Sequence, residues 1–119
     1  MSEEQDRRRR KRVLYSIDAK IELEDKQVYY PEVHDISMSG IFLKSDEPLS
    51  INTKGLITIR LILGDIEENV KSEFIVQRIV AKGNKNQPPG FAVQFTELDS
   101  DSSIVLFNMI KYQSGEVFD

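Results

Sequence analysis

The chain has 119 residues, enough for one domain with a real core and no need of disulfide or metal staples. It contains no cysteine, which removes disulfides, zinc–thiolate sites, iron–sulfur clusters and thiol catalysis from consideration. Its hydrophobic fraction of 39% and charged fraction of 30% are those of an ordinary soluble globular protein, but the net charge of −4 hides an uneven distribution.

MSEEQDRRRRKR, residues 1–12, holds six consecutive cations, Arg7 to Arg12, against Glu3, Glu4 and Asp6. That is a surplus of three positive charges, so a chain total of −4 leaves −7 on the rest. The segment has no aliphatic or aromatic residue after Met1 and is predicted to be a flexible arm. No apolar h-region follows the basic run, so it is not a secretory signal, and no apolar stretch is long enough to cross a bilayer. A cytoplasmic protein without membrane insertion is expected.

From Val13 the texture changes. In IDAKIEL (17–23), Ile17, Ala19, Ile21 and Leu23 alternate with polar residues, the period of a half-buried strand. Glu24-Asp25-Lys26 reads as a turn, and VYYPEV (28–33) as a second extended run, in which Pro31 marks an edge or an irregularity. IFLKS (41–45) is a short strand, and LITIRLIL (56–63) is a strongly β-prone one ended by Gly64-Asp65. Val70 to Ala81 puts Val70, Ser72, Phe74 and Val76 on one parity and is long enough to bend or bulge. After the turn-formers of GNKNQPPG (83–90), GFAVQF sets Phe91, Val93 and Phe95 on one face.

Only the tail reads as helix: Asp99, Ser100 or Asp101 can cap it, Ile104, Phe107 and Met109-Ile110 recur at helical spacing, and Gly115 can end it. The fold class is therefore mainly all-β, a small six-stranded antiparallel barrel plugged by a C-terminal α-helix. The domain plan is an arm over 1–12, a barrel over 13–98, and a helix with its tail over 99–119.

Catalytic readings are pruned by what is missing. His34 is the only histidine, and there is no phosphate-cradling glycine loop with its lysine and no nucleophile elbow. The acidic pairs Asp46-Glu47 and Glu67-Glu68 sit in polar, turn-like surroundings, as solvated charge does. The sequence predicts no enzyme, no metal and no cofactor.

Two motifs remain. Arg8-x-x-x-Arg12 lies in the basic run, and Asp35-x-Ser37-x-x-Gly40 lies between two strand-like segments. Each alone is commonplace, the first as a solvated arm and the second as an Asx-type turn. Together, in this order and with Arg12 leading into the first strand, they resemble the PilZ domain, a bacterial receptor module for cyclic di-GMP. The resemblance runs on through IFLKSDEPL, LITIRLIL and PGFAVQF and covers roughly residues 7–113.

The resemblance implies cyclic di-GMP held on the outer surface of a six-stranded barrel by the N-terminal arm. Arg8, Arg9 and Arg12 would take phosphates or guanine, since a guanidinium forks onto phosphate oxygens, pairs with guanine O6 and N7, and stacks on its face. Asp35 would accept from guanine N1–H and N2–H₂, Ser37 and Ser39 would bond phosphate or base, and Gly40 would turn the backbone or admit the ligand closely. Arg7, Arg10 and Lys11 add charge. Family members often supply a later-strand side chain to guanine; here Gln77 or Arg78 stands there, Arg78 either stacking or facing solvent. The function expected is a stand-alone receptor and adaptor that signals through an unidentified downstream protein. Two other readings stay open: a nucleic-acid-binding barrel, with Tyr29 and Tyr30 to stack on bases, and a PilZ-like interaction protein that binds no nucleotide. The acidic body speaks against the first and the intact motifs against the second.

Overall fold

The computed structural model describes residues 16–114. Seven strands are followed by one helix: β1 (Ser16–Glu22), β2 (Gln27–Tyr30), β3 (Val33–Ile36), β4 (Gly40–Lys44), β5 (Lys54–Leu63), β6 (Ile66–Val80), β7 (Gly90–Leu98) and α1 (Ser100–Ser114). All strands join one antiparallel sheet in the order β2-β1-β5-β6-β7-β4-β3. This is the all-β antiparallel architecture with a C-terminal helix that the sequence predicts, with seven strands in place of six.

The extra strand comes from VYYPEV. Proline has no N–H to give a ladder, and the run divides at Pro31-Glu32 into β2 and β3, which pair at opposite ends of the sheet. Tyr30 and Val33 are three residues apart, a reach of at most about 11 Å, so the two ends of the sheet must approach each other. They do: β1 and β3 have Cα atoms within 8 Å. The sheet is thereby curled into a half-barrel whose rim is bridged by Pro31-Glu32, with Glu32 O accepting from Lys44 N at 3.2 Å.

The alternation of the strands fills the inside. Ala19, Ile21, Ile41, Leu43, Ile57, Ile59, Val70, Phe74, Val76, Phe91 and Val93 form the buried core. Tyr30 meets Phe91 edge-on, with ring centroids 5.3 Å apart. On the outside, Asp18 of β1 takes a forked contact from Arg60 of β5, Nη2 at 2.8 Å and Nε at 3.3 Å, and a third bond from the Tyr29 hydroxyl of β2 at 2.8 Å. The cluster stitches three adjacent strands. The Arg60 hydrogen bond is the main cause that holds the Asp18 carboxyl below its ordinary pKa, with the Tyr29 hydroxyl adding to it and partial burial opposing.

Asp99 caps α1, its Oδ1 accepting from Ser102 N at 2.7 Å and its carbonyl from Ser103 N at 2.9 Å. Leu106 is fully buried in the core, flanked by Val105, Met109 and Ile110. Ile104 and Phe107, which helical spacing places on an apolar face, are instead 60% and 50% exposed. The helix buries a narrow stripe because it lies mainly over β6, where the Ser102 hydroxyl satisfies the Lys71 N–H at 2.8 Å. β7 pairs with β6 only from Ser72 onward, so without Ser102 that N–H would be orphaned. No helix among the described residues is long and apolar enough to cross a membrane.

Candidate functional site

The outer face of β3, β4, β7 and β6 carries an open hollow of about 270 Å³. Its making can be followed strand by strand. Asp35 pairs with Phe42, Phe42 with Ala92, and Ala92 with Arg78, so one cross-strand row runs Asp35–Phe42–Ala92–Arg78. Partners across a ladder share a face. Because Ile41, Leu43 and Val93 point into the core, this row points outward. A neighbouring row holds Gly40 and Gln94, and Gln77 reaches Gln94 from β6, Nε2 to Oε1 at 3.0 Å.

Two irregularities give the site its chemistry. The register shifts between Val33 and Asp35, which leaves both His34 and Asp35 exposed. It shifts again between Val76 and Arg78, which turns both Gln77 and Arg78 outward. Ala92 is short, so Arg78 reaches over it toward β4 and lies above the Phe42 ring, its guanidinium carbon 5.6 Å from the centroid. His34 meets the same ring edge-on at 5.6 Å. Phe42 is an apolar residue on an outer face, yet it is only 4% exposed because these two side chains cover it. The Arg78 Nη1 also donates to Gln87 Oε1 at 3.0 Å.

The Ser37–Gly40 turn forms one wall. Ser37 N donates to Gly40 O at 2.8 Å, and Ser37 Oγ accepts from Ser39 N at 3.2 Å while lying 3.1 Å from Ser39 Oγ. Ser39 O accepts from Phe95 N at 2.9 Å, which anchors the turn to β7. Both hydroxyls are exposed and keep hydrogen-bonding capacity beyond these contacts. Gly40 has a specific reason to be glycine, and the reason is packing. A Cβ there would collide with the Val93 carbonyl oxygen, a backbone atom of the partner strand.

Of the sequence-predicted site residues, the structure gathers Asp35, Ser37, Ser39, Gly40 and Arg78 around this hollow. Arg7, Arg8, Arg9 and Arg12 lie outside the described residues. Sequence reasoning passed over Phe42, Ala92, Gln94 and Gln87. The first three carried a signal, since the alternation of IFLKS and GFAVQF already sets Phe42, Ala92 and Gln94 on the parity opposite to the core. Gln87 carried none, because nothing in a loop sequence says which strand side chain it meets. Among the described residues, no group of three or more His, Asp or Glu is placed to hold a metal ion.

A curled antiparallel sheet, followed by one helix and carrying a polar hollow on its outer face, defines a small, mainly β domain. A family model, the PilZ domain, matches residues 6–112, and the chain belongs to that family. PilZ domains are a family of cyclic di-GMP-binding modules. No curated protein sequence matches the chain.

Proposed function

We propose that this protein is a cytoplasmic cyclic di-GMP receptor without catalytic activity, in which the outer hollow is one wall of the site and the basic run 7–12 is the other. The observation that carries the reading is the row Asp35–Phe42–Ala92–Arg78 beside the Ser37–Gly40 turn. It roots an aspartate and an arginine at the two ends of a shallow floor, with the guanidinium reaching back over Ala92 to Phe42. Three ladder steps separate them, about 14 Å between Cα atoms.

The chemistry suits a guanine dinucleotide. The Asp35 carboxylate accepts from the N1–H and N2–H₂ edge that guanine offers, and Arg78 meets O6 and N7 or stacks on the ring. Ser37 and Ser39 bond phosphate oxygens. At about 270 Å³ the hollow falls short of the ~300–1,000 Å³ usual for ligand pockets, so the ligand needs a second wall. Arg8, Arg9 and Arg12 would close over the two phosphodiester charges from the other side. Charge-assisted contacts of about 1.5–3 kcal/mol each would hold the ligand there.

The signal leaves through protein–protein contact: the closed arm and ligand present a surface that a downstream protein reads. Calorimetric titration of cyclic di-GMP into wild type and Arg8→Ala, with GTP and a short single-stranded DNA as controls, tests the reading. Saturable binding of the cyclic dinucleotide alone, lost in the variant, is expected. Equal heats from DNA, or no heat from cyclic di-GMP, would overturn it.

A further inference from the structure

Among the described residues that line the hollow, Arg78 is the only cation, and it is held from two sides by groups of different kinds. We infer that Gln87, outside the hollow in the β6–β7 loop, is a positioning residue that aims Arg78 at guanine; the inference rests on the cyclic di-GMP reading above.

An exposed arginine spreads over many rotamers, and that freedom is lost when it docks on a base. Here the loss is already taken before any ligand arrives. Phe42 supports one face of the guanidinium, and Gln87 Oε1 fixes its edge by accepting from Nη1 at 3.0 Å. One of five N–H groups is used, and the remaining four, with the face turned away from Phe42, stay available for O6, N7 or stacking.

Gln87 can do this because its own backbone is held. Asn84 Oδ1 accepts from Asn86 N at 2.8 Å and from Gln87 N at 3.1 Å, a side-chain turn that sets the loop's shape. Two residues on, Pro89 O accepts from Ser45 N at 3.0 Å and ties the loop to the end of β4, the strand that carries Phe42. The floor under Arg78 and the clamp on its edge are therefore fastened to each other. Ala92 completes the arrangement, since a longer side chain there would stand between Arg78 and Phe42.

The test is a double-mutant cycle on the full chain. Cyclic di-GMP and cyclic di-AMP are titrated into wild type, Gln87→Leu, Gln87→Glu, Arg78→Ala and the Arg78→Ala/Gln87→Leu pair, with a thermal melt of each. Gln87→Leu keeps the bulk and removes the acceptor, and an about tenfold loss of cyclic di-GMP affinity is expected, with a smaller preference over cyclic di-AMP. Gln87→Glu keeps an acceptor oxygen. Its added charge acts alike on both dinucleotides, so the preference should survive. In the Arg78→Ala background, Gln87→Leu should cost nothing further. Unchanged binding by Gln87→Leu, or an equal loss with and without Arg78, would overturn the positioning role while leaving the receptor reading intact. A wild type that binds no cyclic di-GMP would overturn both.

Discussion

Replacing Gly40 by alanine adds one methyl group at the outer-row position that faces Gln94 across the β4–β7 ladder. The group it meets is the Val93 carbonyl oxygen, followed by the Val93 carbonyl carbon and the Gln94 Cα, all backbone. A flexible side chain could swing aside; a strand in mid-sheet cannot. The ladder must open locally, and overpacking of this kind costs about 1–3 kcal/mol. For a domain of this size each kcal/mol moves the melting temperature by about 4 °C, so a fall of roughly 4–12 °C is expected. Thermal denaturation followed by far-UV circular dichroism measures it, and calorimetry at a temperature where the variant is still folded measures what remains of ligand binding. The two should fall together, because the turn that presents Ser37 and Ser39 hangs on this ladder through Phe95 N and Ser39 O. A variant that melts like wild type but no longer binds would refute the packing account. Gly40 would then serve the ligand's close approach, the role its place in the motif suggests.

Other perturbations separate site from scaffold. Asp35→Ala removes an exposed carboxylate that makes no hydrogen bond to another described side chain, so the melting temperature should hold while cyclic di-GMP affinity drops about 10- to 150-fold, the equivalent of about 1.5–3 kcal/mol. A matching loss of stability would deny Asp35 a ligand role. Leu106→Ala should cost about 2–5 kcal/mol by urea denaturation, since Leu106 is the fully buried residue of α1; a loss below 1 kcal/mol would mean that the helix does not plug the half-barrel. Asp18 has a folded pKa below the ordinary value of 3.8, so its contribution is present above that value and lost as pH falls through the folded pKa. Asp18→Asn should flatten the stability–pH curve below about pH 4, and an unchanged acid limb would contradict the Arg60 and Tyr29 contacts.

Legibility in the sequence followed the physics of each element. Where one face is buried and the other wet, as in Ile17–Leu23 or Phe91–Phe95, alternation alone identifies the strand and its inward residues. It failed at VYYPEV, because a run of six residues does not reveal that its halves pair with different partners; only the whole sheet decides that. At the tail, helical spacing finds the helix but does not say how wide a surface the sheet offers to cover it, and Ile104 and Phe107 stay exposed. In the site, Asp35, Ser37, Ser39 and Gly40 were visible as a motif, yet Gly40's reason lay in a backbone atom of β7. The outward turn of Arg78 depends on a bulge at Gln77 that periodicity shows only as an overlong strand.

The spacing between the two motifs has a geometric cause in the same topology. β1 runs out from Ser16, turns at Glu24-Asp25 with Leu23 N bonded to Lys26 O at 2.8 Å, and comes back as β2, with Ala19 opposite Tyr30 and Glu22 opposite Gln27. Carried on past Tyr30, that register brings Val33 opposite Ser16, in keeping with the approach of β3 to β1. The hairpin thus returns the chain to where it started. Asp35, two residues past Val33, therefore stands near the start of β1. The length between the motifs is then free to vary so long as both arms of the hairpin change together. Two residues added to each of β1 and β2 next to the turn would move the turn outward and leave Val33 opposite Ser16. Two residues added to β2 alone would slide Asp35 relative to Ser16 by about 7 Å. The first variant should retain cyclic di-GMP binding and the second should lose it, and binding that survives the one-sided insertion would sink the claim that the hairpin sets the distance.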